Sequence, residues 1–140
     1  MVILQPLAAG VIAGILSNVT GYVITGRLFH RYQEQTPNTW RAAESYAHYL
    51  YSAGVRVLAC IGIAFLYDLL AASTLVFGSG AILGAAVFGV SLWAVIVAPV
   101  VIEVALFVNW HRGFVAGLLL DWLIVCVVAS IAACLAERVV

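Results

Sequence analysis

Long apolar runs separated by short polar breaks predict four helices. The runs cover about residues 7–25, 52–72, 81–108 and 114–136. Each approaches or exceeds the roughly 20 residues a helix needs to cross hydrocarbon. Gly10-Val-Ile-Ala-Gly14, Gly80-Ala-Ile-Leu-Gly84 and Gly113-Phe-Val-Ala-Gly117 are three GxxxG faces, which let another backbone approach closely. The expected fold class is all-α: an integral membrane four-helix bundle, forming a single transmembrane domain over residues 1–140.

The polar breaks refine this. The longest, about residues 27–50, carries Arg27, His30, Arg31, Arg41 and His48 among Phe29, Tyr32, Trp40, Tyr46 and Tyr49. Thr36-Pro37-Asn38 breaks a helix there, and Asn38 can cap a new one. Trp40, Ala43, Ala47, Leu50 and Tyr51 then recur at helical spacing and predict a short interfacial helix that runs into the second span, its aromatics at headgroup level. Gly78-Ser-Gly80 predicts a tight turn after the second span, and Asn109-Trp-His-Arg-Gly113 joins the third to the fourth. Inside the third span Pro99 removes the hydrogen bond to the Val95 carbonyl, which predicts a kink just before Glu103.

Composition narrows the class further. Of 140 residues, 66% are hydrophobic and 9% charged, and mean hydropathy is +1.17. A soluble domain carries about a quarter charged residues, so almost no soluble part is expected. Six arginines balance six acids, and no basic patch points to nucleic acid. The start, Met-Val-Ile-Leu-Gln-Pro, lacks the positive region of a secretory signal, so the first run is expected to stay as a span. Cys60, Cys126 and Cys134 lie in apolar runs without metal-ligand spacing and read as small buried hydrophobes. There is no phosphate-binding glycine loop, no HExxH and no pair of in-membrane histidines, so neither cofactor nor metal is expected.

Arginine placement suggests an orientation. Arg27, Arg31, Arg41, Arg56 and Arg112 fall on one side, against Arg138 on the other. By the positive-inside rule the long loop and the 109–113 turn are cytoplasmic and both termini outside. In a bacterium that is the cytoplasmic (inner) membrane.

The candidate chemistry lies around the last turn. At about 1.5 Å per residue, Glu103 and Asp121 sit roughly 10 Å below the same membrane face. Ionisable groups at such depth are functional candidates by default. Depth alone adds Asn18 and Tyr22 from the first span and Arg56 from the second, with Asn109 and His111 at the mouth. Two readings compete. In the structural one, Arg56 pairs with one carboxylate, the other is protonated or hydrogen-bonded, and the set fixes helix register. In the functional one, Glu103 and Asp121 act as an acid/base pair or a proton/ion relay, while Arg56, Asn18, Tyr22, Asn109 and His111 bind a substrate.

Three GxxxG faces exceed the needs of one small bundle. The leading expectation is therefore a structural or accessory subunit of a homo-oligomer or a larger membrane complex. The alternative is an intramembrane enzyme, or a transporter of protons, cations or small molecules. The bilayer is the partner common to both, and a lipophilic ligand belongs to the alternative.

The layout resembles a bacterial family of small four-span membrane proteins known only as a domain of unknown function. The shared features are the small-residue first span ending in Tyr22–Tyr32, the Trp40 segment, the glycine-rich third span, and Leu106-Phe-Val-Asn-Trp-His-Arg-Gly-Phe114 leading to Asp121-Trp122. The resemblance implies a fold and a membrane, not an activity, and it assigns no role to the Glu103 and Asp121 carboxylates.

Overall fold

A backbone in hydrocarbon must satisfy its amides within its own segment, and the apolar runs do so as helices. The structure is a computed structural model and describes residues 3–33, 35, 46–72 and 82–137. Helix α1 (Leu4–Val23) continues through a π-helical turn (Ile24–Leu28) to the short α2 (His30–Gln33). Helix α3 (Tyr46–Ala72) follows. Helix α4 (Ile82–Leu92) passes through a second π-helical turn (Trp93–Val97) into α5 (Ala98–Phe107), and α6 is Arg112–Glu137. All regular structure among the described residues is helical.

Four helical segments of 25 or 26 residues are long and apolar enough to cross a membrane. Each is about 38 Å long at about 1.5 Å per residue, against a hydrocarbon core of about 30 Å. Leu16, Val19, Leu58, Leu69, Leu83 and Val95 are all exposed on the outside. Such a surface would associate in water and is at home in lipid.

Helix α3 begins at Tyr46, so the end of the polar segment runs into the second span, as the helical spacing of Ala47, Leu50 and Tyr51 predicts. The departure from the sequence expectation is in the third span. At Pro99 the disturbance takes the form of the π-helical turn. The Ala98 N–H donates to the Trp93 carbonyl five residues back, and Pro99 falls in the first turn of α5, where its missing N–H costs little. The expected helix start at Asn38, the Gly78–Gly80 turn and Gly80 of the second GxxxG lie outside the described residues.

Small residues set the packing. The buried stripe of α1 is Pro6, Ala9, Gly10, Ala13, Gly14, Ser17 and Gly21. A Cβ on Gly10 would strike the Ile61 backbone, and one on Gly14 would stand 2.7 Å from Val57 Cα, so α1 and α3 cross antiparallel in near-backbone contact. Gly89 of α4 faces α6 in the same way, since a Cβ there would stand 2.8 Å from the Cys126 carbonyl oxygen. Gly113 and Gly117 instead make room for side chains, the rings of Tyr32 and Phe29. Two of the GxxxG pairs are therefore occupied within the chain, which removes the surplus behind the expectation of an oligomer. All three cysteines are buried and unbridged, and Cys60 and Cys134 pack among alanines.

Helices α1, α3 and α6 form a triangle, each packed on the other two. The third span lies along α6 and has no comparable approach to α1 or α3 among the described residues. Phe88 meets Tyr67 of α3 edge-on, with ring centroids 5.5 Å apart.

Candidate functional site

The triangle closes over one buried ion pair. Arg56 lies on the buried stripe of α3 with Cys60, Ala64 and Tyr67, and Asp121 lies on that of α6 between Gly117 and Val125. Arg56 Nη1 donates to Asp121 Oδ1 at 2.8 Å and Nη2 to Oδ2 at 2.6 Å, a bidentate pair. The Asp121 side chain is 0% exposed and that of Arg56 14%.

Helix α1 and the π-helical turn that follows it complete the site. Arg56 Nη1 also donates to the Ser17 carbonyl at 3.1 Å, and the Thr25 hydroxyl donates to Asp121 Oδ2 at 3.3 Å. Gly21 leaves the space the guanidinium fills, since a Cβ there would stand 2.6 Å from Nη1. The Trp122 ring lies 5.7 Å from the Arg56 guanidinium carbon, and Cys60 Sγ donates to Ser17 Oγ at 3.8 Å. Every buried polar side-chain atom among the described residues has a hydrogen-bond partner. The layer is self-contained.

The other sequence candidates are elsewhere. Glu103 is exposed on α5 and makes no ion pair or hydrogen bond with any described residue. It lies four residues before the end of α5 at Phe107, whereas Asp121 lies nine after the start of α6 at Arg112. At about 1.5 Å per residue their depths are about 6 and 13 Å below the turn, not equal. Tyr22 is 62% exposed and carries Arg27 over its ring at 5.3 Å. Asn18 ties α1 to α3 by donating to the Gly14 and Ala53 carbonyls at 2.9 and 3.4 Å. Asn109 is exposed in the turn.

His111 organises the start of α6. Its ring stacks flat on Tyr32, with centroids 4.8 Å apart, and its Nδ1 accepts the Gly113 N–H at 3.0 Å. Its carbonyl accepts from the Phe114 and Val115 amides. That is a helix cap, and no three His, Cys, Asp or Glu side chains among the described residues gather as metal ligands.

Sequence reasoning named Arg56 and Asp121 and missed Ser17, Gly21, Thr25 and Trp122 as their neighbours. The signal was the spacing of α1. Ser17, Gly21 and Thr25 continue the stripe begun by Gly10 and Gly14, while Asn18 and Tyr22 stand one residue off it.

A groove of about 470 Å³ lies between the first turns of α1 and the last of α6, bordered by Leu4, Ala8, Ile12, Ala132, Leu135 and Ala136. It is apolar and at the opposite end of the bundle from the ion pair. No family model, no curated protein and no solved structure matches the chain. Geometry and chemistry are thus the guides to function.

Proposed function

We propose that the chain is a structural or accessory subunit of a membrane complex, with Arg56–Asp121 as the clasp that sets three of its helices in register. The observation that carries this is the closure of the polar layer. Both carboxylate oxygens of Asp121 are occupied, by Arg56 and Thr25, and Arg56 is further held by Ser17. A second support is the third span, whose α5 half leaves Pro99, Val100, Ile102, Glu103, Val104, Leu106 and Phe107 exposed and buries Ala98 and Val101. That face suits a neighbouring subunit. Exposed Arg27, Arg31 and Arg112 at one end support a bacterial inner-membrane orientation with both termini outside.

Mass measurement on particles drawn from the native membrane with an amphipathic polymer tests this. The expected result is an assembly well above the 14.9 kDa of one chain. A lone monomer would contradict it.

A second reading, an intramembrane transporter or enzyme, draws support from the two π-helical turns against α6. Thr25 in one reaches Asp121, and Trp93 in the other donates its indole N–H to the Leu119 carbonyl at 2.9 Å. Such turns are frequent at functional sites. An Asp121→Asn variant that keeps its assembly but loses proton flux in proteoliposomes would favour this reading over the first.

A further inference from the structure

The exposed arginines at the other side of the α6 start are not absorbed by the clasp. Arg27, Arg31 and Arg112 are all exposed, and none has a carboxylate partner among the described residues. Arg27 sits over the Tyr22 ring at 5.3 Å. Arg31 sits over the Tyr32 ring at 4.8 Å and spends one N–H on the Tyr32 hydroxyl at 2.9 Å. Tyr32 in turn packs on Gly113 and stacks on His111, which places Arg31 beside the turn that carries Arg112.

A guanidinium has five N–H donors in a fixed fork that matches phosphate oxygens. Arg27 and Arg112 make no hydrogen bond with any described residue, so their forks are open. The amides of Gly113, Phe114 and Val115 are taken by His111, so an anion at this end meets guanidinium groups and not the α6 N-terminus. Glu103 offsets one of the three charges at this end. Glu34, Arg41 and Glu44 lie outside the described residues.

All three arginines flank the ends of membrane-spanning segments, α1 with its π turn and α6, which is headgroup level. We propose that Arg27, Arg31 and Arg112 form a binding surface for the phosphate of anionic phospholipid headgroups, with Arg27 and Arg31 seated in advance on Tyr22 and Tyr32. Seating matters because a guanidinium already laid on a ring has less rotamer freedom to lose on binding. This surface is independent of the role proposed for the clasp.

Native mass spectrometry of the full chain in detergent tests it, with phosphatidylglycerol, phosphatidylcholine of the same acyl chains, and inorganic phosphate as separate probes. Phosphatidylglycerol is expected to be retained at least about tenfold better than phosphatidylcholine, and each of Arg27→Gln, Arg31→Gln and Arg112→Gln to weaken it about fivefold. Tyr22→Leu, which leaves every charge in place, is expected to weaken it about two- to fivefold. Millimolar inorganic phosphate is expected not to displace the lipid. Arg112→Gln is the variant safest for folding, because a cation at a helix N-terminus is unfavourable in the first place. Equal retention of the two lipids, or full retention by the triple arginine variant, would overturn the proposal. So would wild-type binding by Tyr22→Leu, which would leave net charge without seated sites. Displacement by free phosphate would reassign the surface to a soluble anion.

Discussion

Asp121 and Glu103 are both carboxylates in apolar helices joined by one short turn, yet Asp121 is fully buried among three helices and Glu103 is exposed on the outside of α5. The difference follows from where each falls on its helix. Asp121 occupies the small-residue stripe of α6, between Gly117 and Val125, where α1 and α3 both close in. Glu103 is off the stripe of α5, whose buried members are Ala98 and Val101. It is also within about one turn of the helix end, where water is near. Position on a packing face, more than depth, decides whether a membrane carboxylate gains a counter-charge.

The same contrast extends to whole spans. The triangle of α1, α3 and α6 combines backbone-close crossings with a bidentate ion pair. The third span is pinned to α6 by Gly89 near its middle and by the Trp93 indole, and its α5 half is largely uncovered.

Substitutions can break this contrast, and the largest effect is expected at the ion pair. Asp121→Ala strands a buried guanidinium and should cost about 3–5 kcal/mol of stability, whereas Glu103→Gln should stay within about 0.5 kcal/mol. Equilibrium unfolding in mixed detergent micelles measures both. Equal losses at the two positions would erase the distinction between them. Next in size is the crossing of α1 with α3. Gly10→Val pushes against the Ile61 backbone and should cost about 1–3 kcal/mol, while Gly54→Ala, with nothing within 4 Å of its added carbon, should be neutral or gain up to about 1 kcal/mol. A Gly54→Ala loss as large as that at Gly10 would mean that the outer face of α3 is covered. Smallest is Thr25→Val, which removes one hydrogen bond to Asp121 and should cost about 0.6 kcal/mol. A loss several times larger would place Thr25 at the centre of the site.

Much of this was legible in the sequence. Four apolar runs gave four spans because hydrocarbon leaves the backbone no other choice. The first GxxxG did lead to a close crossing. Arg56 and Asp121 stood out because charges are rare in such runs, and the expected pairing of Arg56 with one carboxylate is found at Asp121. Helix rotation was harder to read. Span three is apolar on all sides, so no pattern marked Glu103 as facing outward, and the turn bounds read from the sequence put Glu103 and Asp121 at similar depths. On α1 the polar residues Asn18 and Tyr22 drew attention, although the glycine stripe pointed to Ser17, Gly21 and Thr25. His111 read as a mouth residue, and the ring that stacks on it, Tyr32, is 79 positions away in the chain.

The clasp is tested most directly by a double-mutant cycle on Arg56→Leu and Asp121→Leu, read as unfolding free energy. Each single change leaves one buried charge without its partner, and the double change leaves none. The expected result is that the double variant recovers most of the loss, with a coupling of at least about 2 kcal/mol between the two sites. Losses that simply add, with coupling near zero, would contradict a clasp between Arg56 and Asp121.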